Sequence, residues 1–223
     1  MTIKLRPPRE QLTRLDSIAE LGPDKLGDLS AHLSSLDDLQ LHPVKLIQAA
    51  KSVLDEDVAE LVIGQVVSLY GLIRKSSLTA RQIVEGISEA LAAHEEFDES
   101  KWNKLAPQFE ELLGSKQVRL AATAIELTYD YANLVRSIRI LTDIRPLYDE
   151  EAGNIEAAVV SHTLRLHFDS SDGTHELSLA LDLNDIVDLK TLCERAIKKS
   201  EKAKATLVKD MKIPTVISGE ALE

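Results

Sequence analysis

The stretch HTLRLHFDSSDGTHELSLALDL, His162 to Leu183, decides the fold. Apolar residues hold every second position: Leu164, Leu166 and Phe168 before the polar Ser-Ser-Asp-Gly segment, Leu177, Leu179, Leu181 and Leu183 after it. A two-residue period puts one set of side chains on one face of a strand, so the segment reads as a β-hairpin with a leucine-rich face. Even positions are apolar on the first strand and odd positions on the second, so facing residues must sum to an odd number. A two-residue Asp172-Gly173 turn meets this condition but sets Asp169 opposite Glu176. A four-residue loop, Ser170 to Gly173, sets His167 opposite Glu176 instead and is preferred, because an imidazole faces the carboxylate. A one-residue slip would turn one strand's leucines to water.

Working outward, Ile155 to Phe168 continues the alternation through Val160. Leu134 to Ile144 repeats it, with Leu134, Ile138, Ile140 and Ile144 against Ser137, Arg139, Asp143 and Arg145. Asp149 to Asn154 supplies the turn between these two strands. Downstream, Asp182 or Asn184 can cap a helix from Asp185 to Lys209, with acids in its first turn and lysines toward its end, as the helix dipole favours. Its stripe of Ile186, Leu189, Leu192, Cys193, Ala196, Ile197 and Ser200 suits a helix lying on the sheet, with Cys193 in the core. Residues 133–209 thus read as a three-stranded antiparallel meander followed by a C-terminal helix.

Upstream of Asn133 the period changes to three and four residues. The spacing predicts helices over Arg9 to Glu20, stopped by Gly22-Pro23, and over Asp24 to Leu36. Asp37-Asp38 and His42-Pro43 mark a break, and a helix follows to Leu54. Asp55-Glu56-Asp57 opens a longer helix, apolar around most of its circumference from Val58 to Ile73. Ser77 or Thr79 caps the next, with Ile83, Ile87 and Leu91 on one stripe. Trp102, Leu105, Phe109 and Leu112 form another stripe, ended at Gly114, and Val118 to Tyr129 one more. The fold class is α+β: an all-α bundle of six or seven helices over 1–132, a β-β-β-α association module over 133–209, and a tail, 210–223, that reads as disordered or as a strand added to a partner's sheet edge.

The chain has 223 residues, ample for a core without disulfides. Its formal net charge of −11 argues against a nucleic-acid or anionic-membrane partner. No run of about 18 apolar residues occurs, and no apolar segment follows Lys4, Arg6 and Arg9, so neither a membrane span nor a secretory signal is expected. A single cysteine, Cys193, fits a reducing, cytoplasmic setting.

Chemistry-bearing patterns are sparse. The glycines form no phosphate-binding loop, and the metalloprotease, EF-hand and nucleophile-elbow patterns are absent. His162, His167 and His175 cluster in the hairpin, but strand parity turns His162 to the apolar side and His167 to the polar side, so at most two could share a metal. They read as sheet-surface histidines, and no catalytic residue, metal or cofactor is expected. Acidic runs at Asp55-Glu56-Asp57, Glu95-Glu96 with Asp98-Glu99, and Asp149-Glu150-Glu151 sit at helix starts and turns. Arg136, Arg139, Arg145 and Arg165 read either as a local basic patch or as cross-strand partners of acids.

The order of elements, and the stretch Leu134 to Lys204 in particular, resembles the COMM-domain proteins. Thr163-Leu164-Arg165-Leu166-His167-Phe168, Glu176-Leu177-Ser178-Leu179-Ala180-Leu181-Asp182 and Asp188-Leu189-Lys190-Thr191-Leu192 carry the likeness. Tyr129 and Tyr131 stand where that family has a tryptophan, and its proline before the second strand has no counterpart. The resemblance implies a non-catalytic adaptor that pairs through interlocked C-terminal modules. Physical reasoning points the same way, since one helix covers only part of one face of a three-stranded sheet. Val135, Leu141, Ala157, Val159 and Ala180, on the face away from the helix, are the expected partner surface. The expectation is a protein–protein interaction module that pairs with itself as a homodimer or with homologous chains. The alternative is an enzyme or small-ligand sensor with a pocket between helical bundle and sheet, using His162, Arg165 or Tyr129.

Overall fold

The computed structural model describes residues 7–36, 39–76, 78–94 and 96–220. The chain divides into two compact units, Met1–Thr128 with Lys212–Glu223, and Tyr129–Met211. Asp37-Asp38, Ser77 and Glu95 lie outside the described residues.

The first unit holds seven helices among the described residues: α1 (Arg9–Ala19), α2 (Gly22–Ser35), α3 (Pro43–Ala50), α4 (Glu56–Ser76), α5 (Ala80–Ala92), α6 (Glu99–Leu113) and α7 (Lys116–Tyr129). Gly22-Pro23, read as a stop, opens α2: Gly22 at φ +75° swings the chain away from α1, and Pro23 fills the first turn, where its missing N–H costs nothing. The α5 start follows the expected chemistry. Thr79 Oγ1 accepts from the Gln82 N–H, while Gln82 Oε1 accepts from the Thr79 N–H, a reciprocal capping box. Every helix buries its apolar stripe in one core. Trp102 and Phe109 are its largest members, fully buried with ring centroids 5.2 Å apart, and the Trp102 indole N–H donates to Ser88 Oγ at 2.9 Å. At the C-terminal end of the chain, Asp210 to Glu220 carries no helix or strand, and Thr215, Val216 and Ile217 are half-buried.

The second unit contains β1 (Asn133–Tyr148), β2 (Ile155–Ser170), β3 (Gly173–Leu181) and α8 (Leu183–Lys209), with strand order β1-β2-β3, all antiparallel. Between β2 and β3, His167 faces Glu176, Leu166 faces Leu177 and Leu164 faces Leu179, the preferred register. The ladder closes one pair further than expected, at Ser170 and Gly173, leaving Ser171-Asp172 as the tip. Gly173 makes this possible with φ +133°, a conformation that a side chain rarely adopts. Gly173→Ala should therefore destabilise the hairpin by about 1–3 kcal/mol, read by urea unfolding, with an unchanged midpoint as the contrary result.

The β1–β2 turn is closed by Asp149, whose carboxylate accepts from the Gly153 N–H at 2.8 Å, the Asn154 N–H at 3.1 Å and Asn154 Nδ2 at 2.9 Å. These bonds, led by that from the Asn154 side chain, hold its pKa below the ordinary carboxylate value. In β1 the register slips by one residue between Val135 and Ser137, so that Arg136 is a bulge. The bulge turns Val135 to face Phe168, on the leucine face, and Leu134 to face Asp169, on the reverse face, which corrects the placement of both residues. Helix α8 begins as expected, with Asp182 and Asp185 forming a capping box.

Candidate interaction surface

Alternation sorts the sheet into two faces. One carries Val135, Ile138, Ile140, Thr142 and Ile144 from β1, Val160, His162, Leu164, Leu166 and Phe168 from β2, and His175, Leu177, Leu179 and Leu181 from β3. Most of its apolar side chains stand open, Ile138 at 61% exposed, Ile144 at 70%, and Leu177 and Leu179 at 43% each, while Leu164, Leu166, Phe168 and Leu181 are half-buried. Helix α8 meets the sheet at β3, but none of its residues is buried. Leu192 and Ile197 are 58% and 59% exposed, and Cys193 is exposed, which corrects its assignment to a core stripe. The amphipathic pattern of α8 is present as read; the sheet beneath it is not what covers it.

The reverse face carries Leu141, Thr163 and Ala180 in one cross-strand row, with Ala157 and Val159 further along β2. Of the five residues expected to form the partner surface, these four share that face, interleaved with Arg139, Asp143 and Arg145. The more apolar of the two surfaces is the leucine face. Sequence reasoning missed it because it assigned α8 to cover it.

The candidate polar residues are held apart. His162 and Arg165 project from opposite faces of β2, and the His162 ring nitrogen Nδ1 lies 3.0 Å from Thr142 Oγ1, in the middle of the leucine face. Tyr129 is 61% exposed at the end of α7. His167 is on the reverse face, with Nε2 3.7 Å from Glu176, while His175 stacks on Phe168 and contacts Asp172 at 3.0 Å. Among the described residues no group of three His, Cys, Asp or Glu could hold a metal ion.

A Ser–His pair that the sequence did not reveal occurs in the first unit, where Ser52 Oγ lies 2.8 Å from His32 Nε2 beside a cavity of about 260 Å³ lined by Lys25, Lys51 and Asp55 among others. The Ser52 hydroxyl has one proton and also lies 2.7 Å from the Ala49 carbonyl, which can only accept, so both contacts are hydrogen bonds together only when that proton goes to Ala49. His32 therefore donates to Ser52 rather than accepting from it, the reverse of nucleophile activation.

Electrostatics on the reverse face follow cross-strand geometry. Arg136, freed by the bulge, bonds Asp169, which also accepts from Thr174 Oγ1 at 2.8 Å. These two bonds, Arg136 first, hold the Asp169 carboxyl below its ordinary range. A depressed folded pKa contributes stability that is fully present above the unfolded value of about 4 and is lost as pH falls through the folded one. The stability difference between the wild type and Asp169→Asn should thus be largest near neutral pH and shrink progressively once pH falls below about 4, measured as urea midpoints; a pH-independent difference would contradict this.

No helix among the described residues is long and apolar enough to cross a membrane. No protein-family model matches the chain, and no curated protein matches it in sequence.

Proposed function

We propose that this is a non-catalytic adaptor that self-associates through its C-terminal β-β-β-α unit, the leucine face and the α8 stripe of one copy meeting those of a second. The observation that carries this reading is that an apolar sheet face and an apolar helix stripe in the same unit are both left open. With strands rising about 3.4 Å per residue and spaced about 4.8 Å, the sheet face offers on the order of 500 Å². At about 1.5 Å per residue, the stripe of α8 adds on the order of 400 Å². Together they reach the ~800 Å² per partner of a standard interface and exceed the patch a monomer ordinarily exposes. A second copy suits this surface because each chain supplies both a sheet to be covered and a helix to cover, the self-complementarity that a two-fold interface requires. The likeness of 134–204 to the COMM-domain pattern agrees with such pairing.

Co-expression of tagged and untagged copies tests the proposal. The untagged copy should be retained with the tagged one, and Leu166→Asp in both should abolish retention. Failure of the wild-type untagged copy to be retained contradicts it.

A further inference from the structure

The arginines on the reverse face are not all explained by cross-strand acids. Arg136 bonds Asp169, and Arg165 Nε lies 3.8 Å from Glu176, which His167 shares at 3.7 Å. Arg139, however, stands directly opposite Arg165 in the ladder, and Arg145 stands opposite Val159. Neither Arg139 nor Arg145 makes an ion pair with any described residue. Like charges directly opposite one another weaken a sheet. Arg136, Arg139, Arg145 and Arg165 thus gather on one face with the carboxylates of Asp143, Asp169 and Glu176 among them, a local cluster of cations on a chain whose formal net charge is −11.

We infer that this face, centred on Arg139 and Arg165, is a docking surface for an acidic peptide segment of a partner protein. The two guanidinium groups rise from adjacent strands with Cβ atoms about 5 Å apart, so that one carboxylate between them receives forked, charge-assisted bonds from both. Ser137 lies beside Arg139, and Ser178 faces Arg165, adding hydroxyl donors. The neighbouring row of Leu141, Thr163 and Ala180 supplies a small apolar floor for the side chains between the acids. A nucleic acid or anionic membrane fits less well, because its charge would extend past these few arginines onto an acidic chain. The surface lies on the opposite side of the sheet from the leucine face and does not depend on self-association.

The test is fluorescence anisotropy of a labelled octaglutamate peptide against the full chain at low ionic strength. Wild-type protein should bind, with affinity falling as salt is raised. Arg139→Gln and Arg165→Gln should each weaken binding about tenfold, the loss expected for a charge-assisted hydrogen bond. Arg81→Gln, which removes an exposed pair with Glu85 on α5, should not change it. Relief of the like-charge pair should leave the melting temperature of Arg139→Gln unchanged or raise it by about 1–4 °C. Absence of wild-type binding, equal affinity in the variants, a lowered melting temperature for Arg139→Gln, or tighter binding of a short oligothymidylate would each overturn the assignment.

Discussion

Leu179→Asp is expected to convert a dimer into a monomer, raising the dissociation constant by about a thousandfold or more. Leu179 sits opposite Leu164 on the leucine face and is 43% exposed in the single chain, so an aspartate there remains hydrated in the monomer. In the proposed dimer the same carboxylate would be buried against the apolar face and helix stripe of the second copy. An uncompensated buried charge costs about 3–5 kcal/mol, and each 1.4 kcal/mol is a factor of ten. Ser178→Asp, one residue away on the reverse face, should leave the mass unchanged. Equal behaviour of the two variants, read by sedimentation at micromolar concentration, would show that the leucine face is not the contact.

The largest loss of intrinsic stability is expected for Trp102→Ala, about 3–5 kcal/mol by urea unfolding. Trp102 is fully buried on α6 against Phe109, and its indole N–H is satisfied by Ser88 of α5, so truncation leaves a large cavity and removes a tie between two helices. Leu192→Ala on α8 is the contrasting case. At 58% exposure it should cost under about 0.5 kcal/mol in the monomer, while weakening self-association. A loss below about 1 kcal/mol for Trp102→Ala would contradict the packing of the first unit.

Much of this architecture was legible before any coordinates. The helical stripes of the first unit, the Thr79 and Asp182 caps and the His167–Glu176 register follow from periodicity, capping chemistry and cross-strand charge, all local properties. What escaped reading is non-local or costs only one residue of register. The Arg136 bulge shows in the alternation only as one charged residue between Leu134 and Ile138, yet it moves Val135 and Leu134 each to the opposite face. Amphipathicity on α8 states that its stripe needs a cover but not which surface provides it, so Cys193 reads as a core residue although it is exposed. Gly22-Pro23 reads as a stop because its residues suit both the end of α1 and the first turn of α2. The Ser52–His32 pair joins residues from different elements, and only hydrogen-bond accounting shows it to be unactivated.

The most direct test is the mass of the full chain by light scattering across micromolar concentrations. Self-association through the leucine face requires twice 24.6 kDa for the wild type and 24.6 kDa for Leu179→Asp. A folded wild-type chain that stays at 24.6 kDa throughout would contradict it.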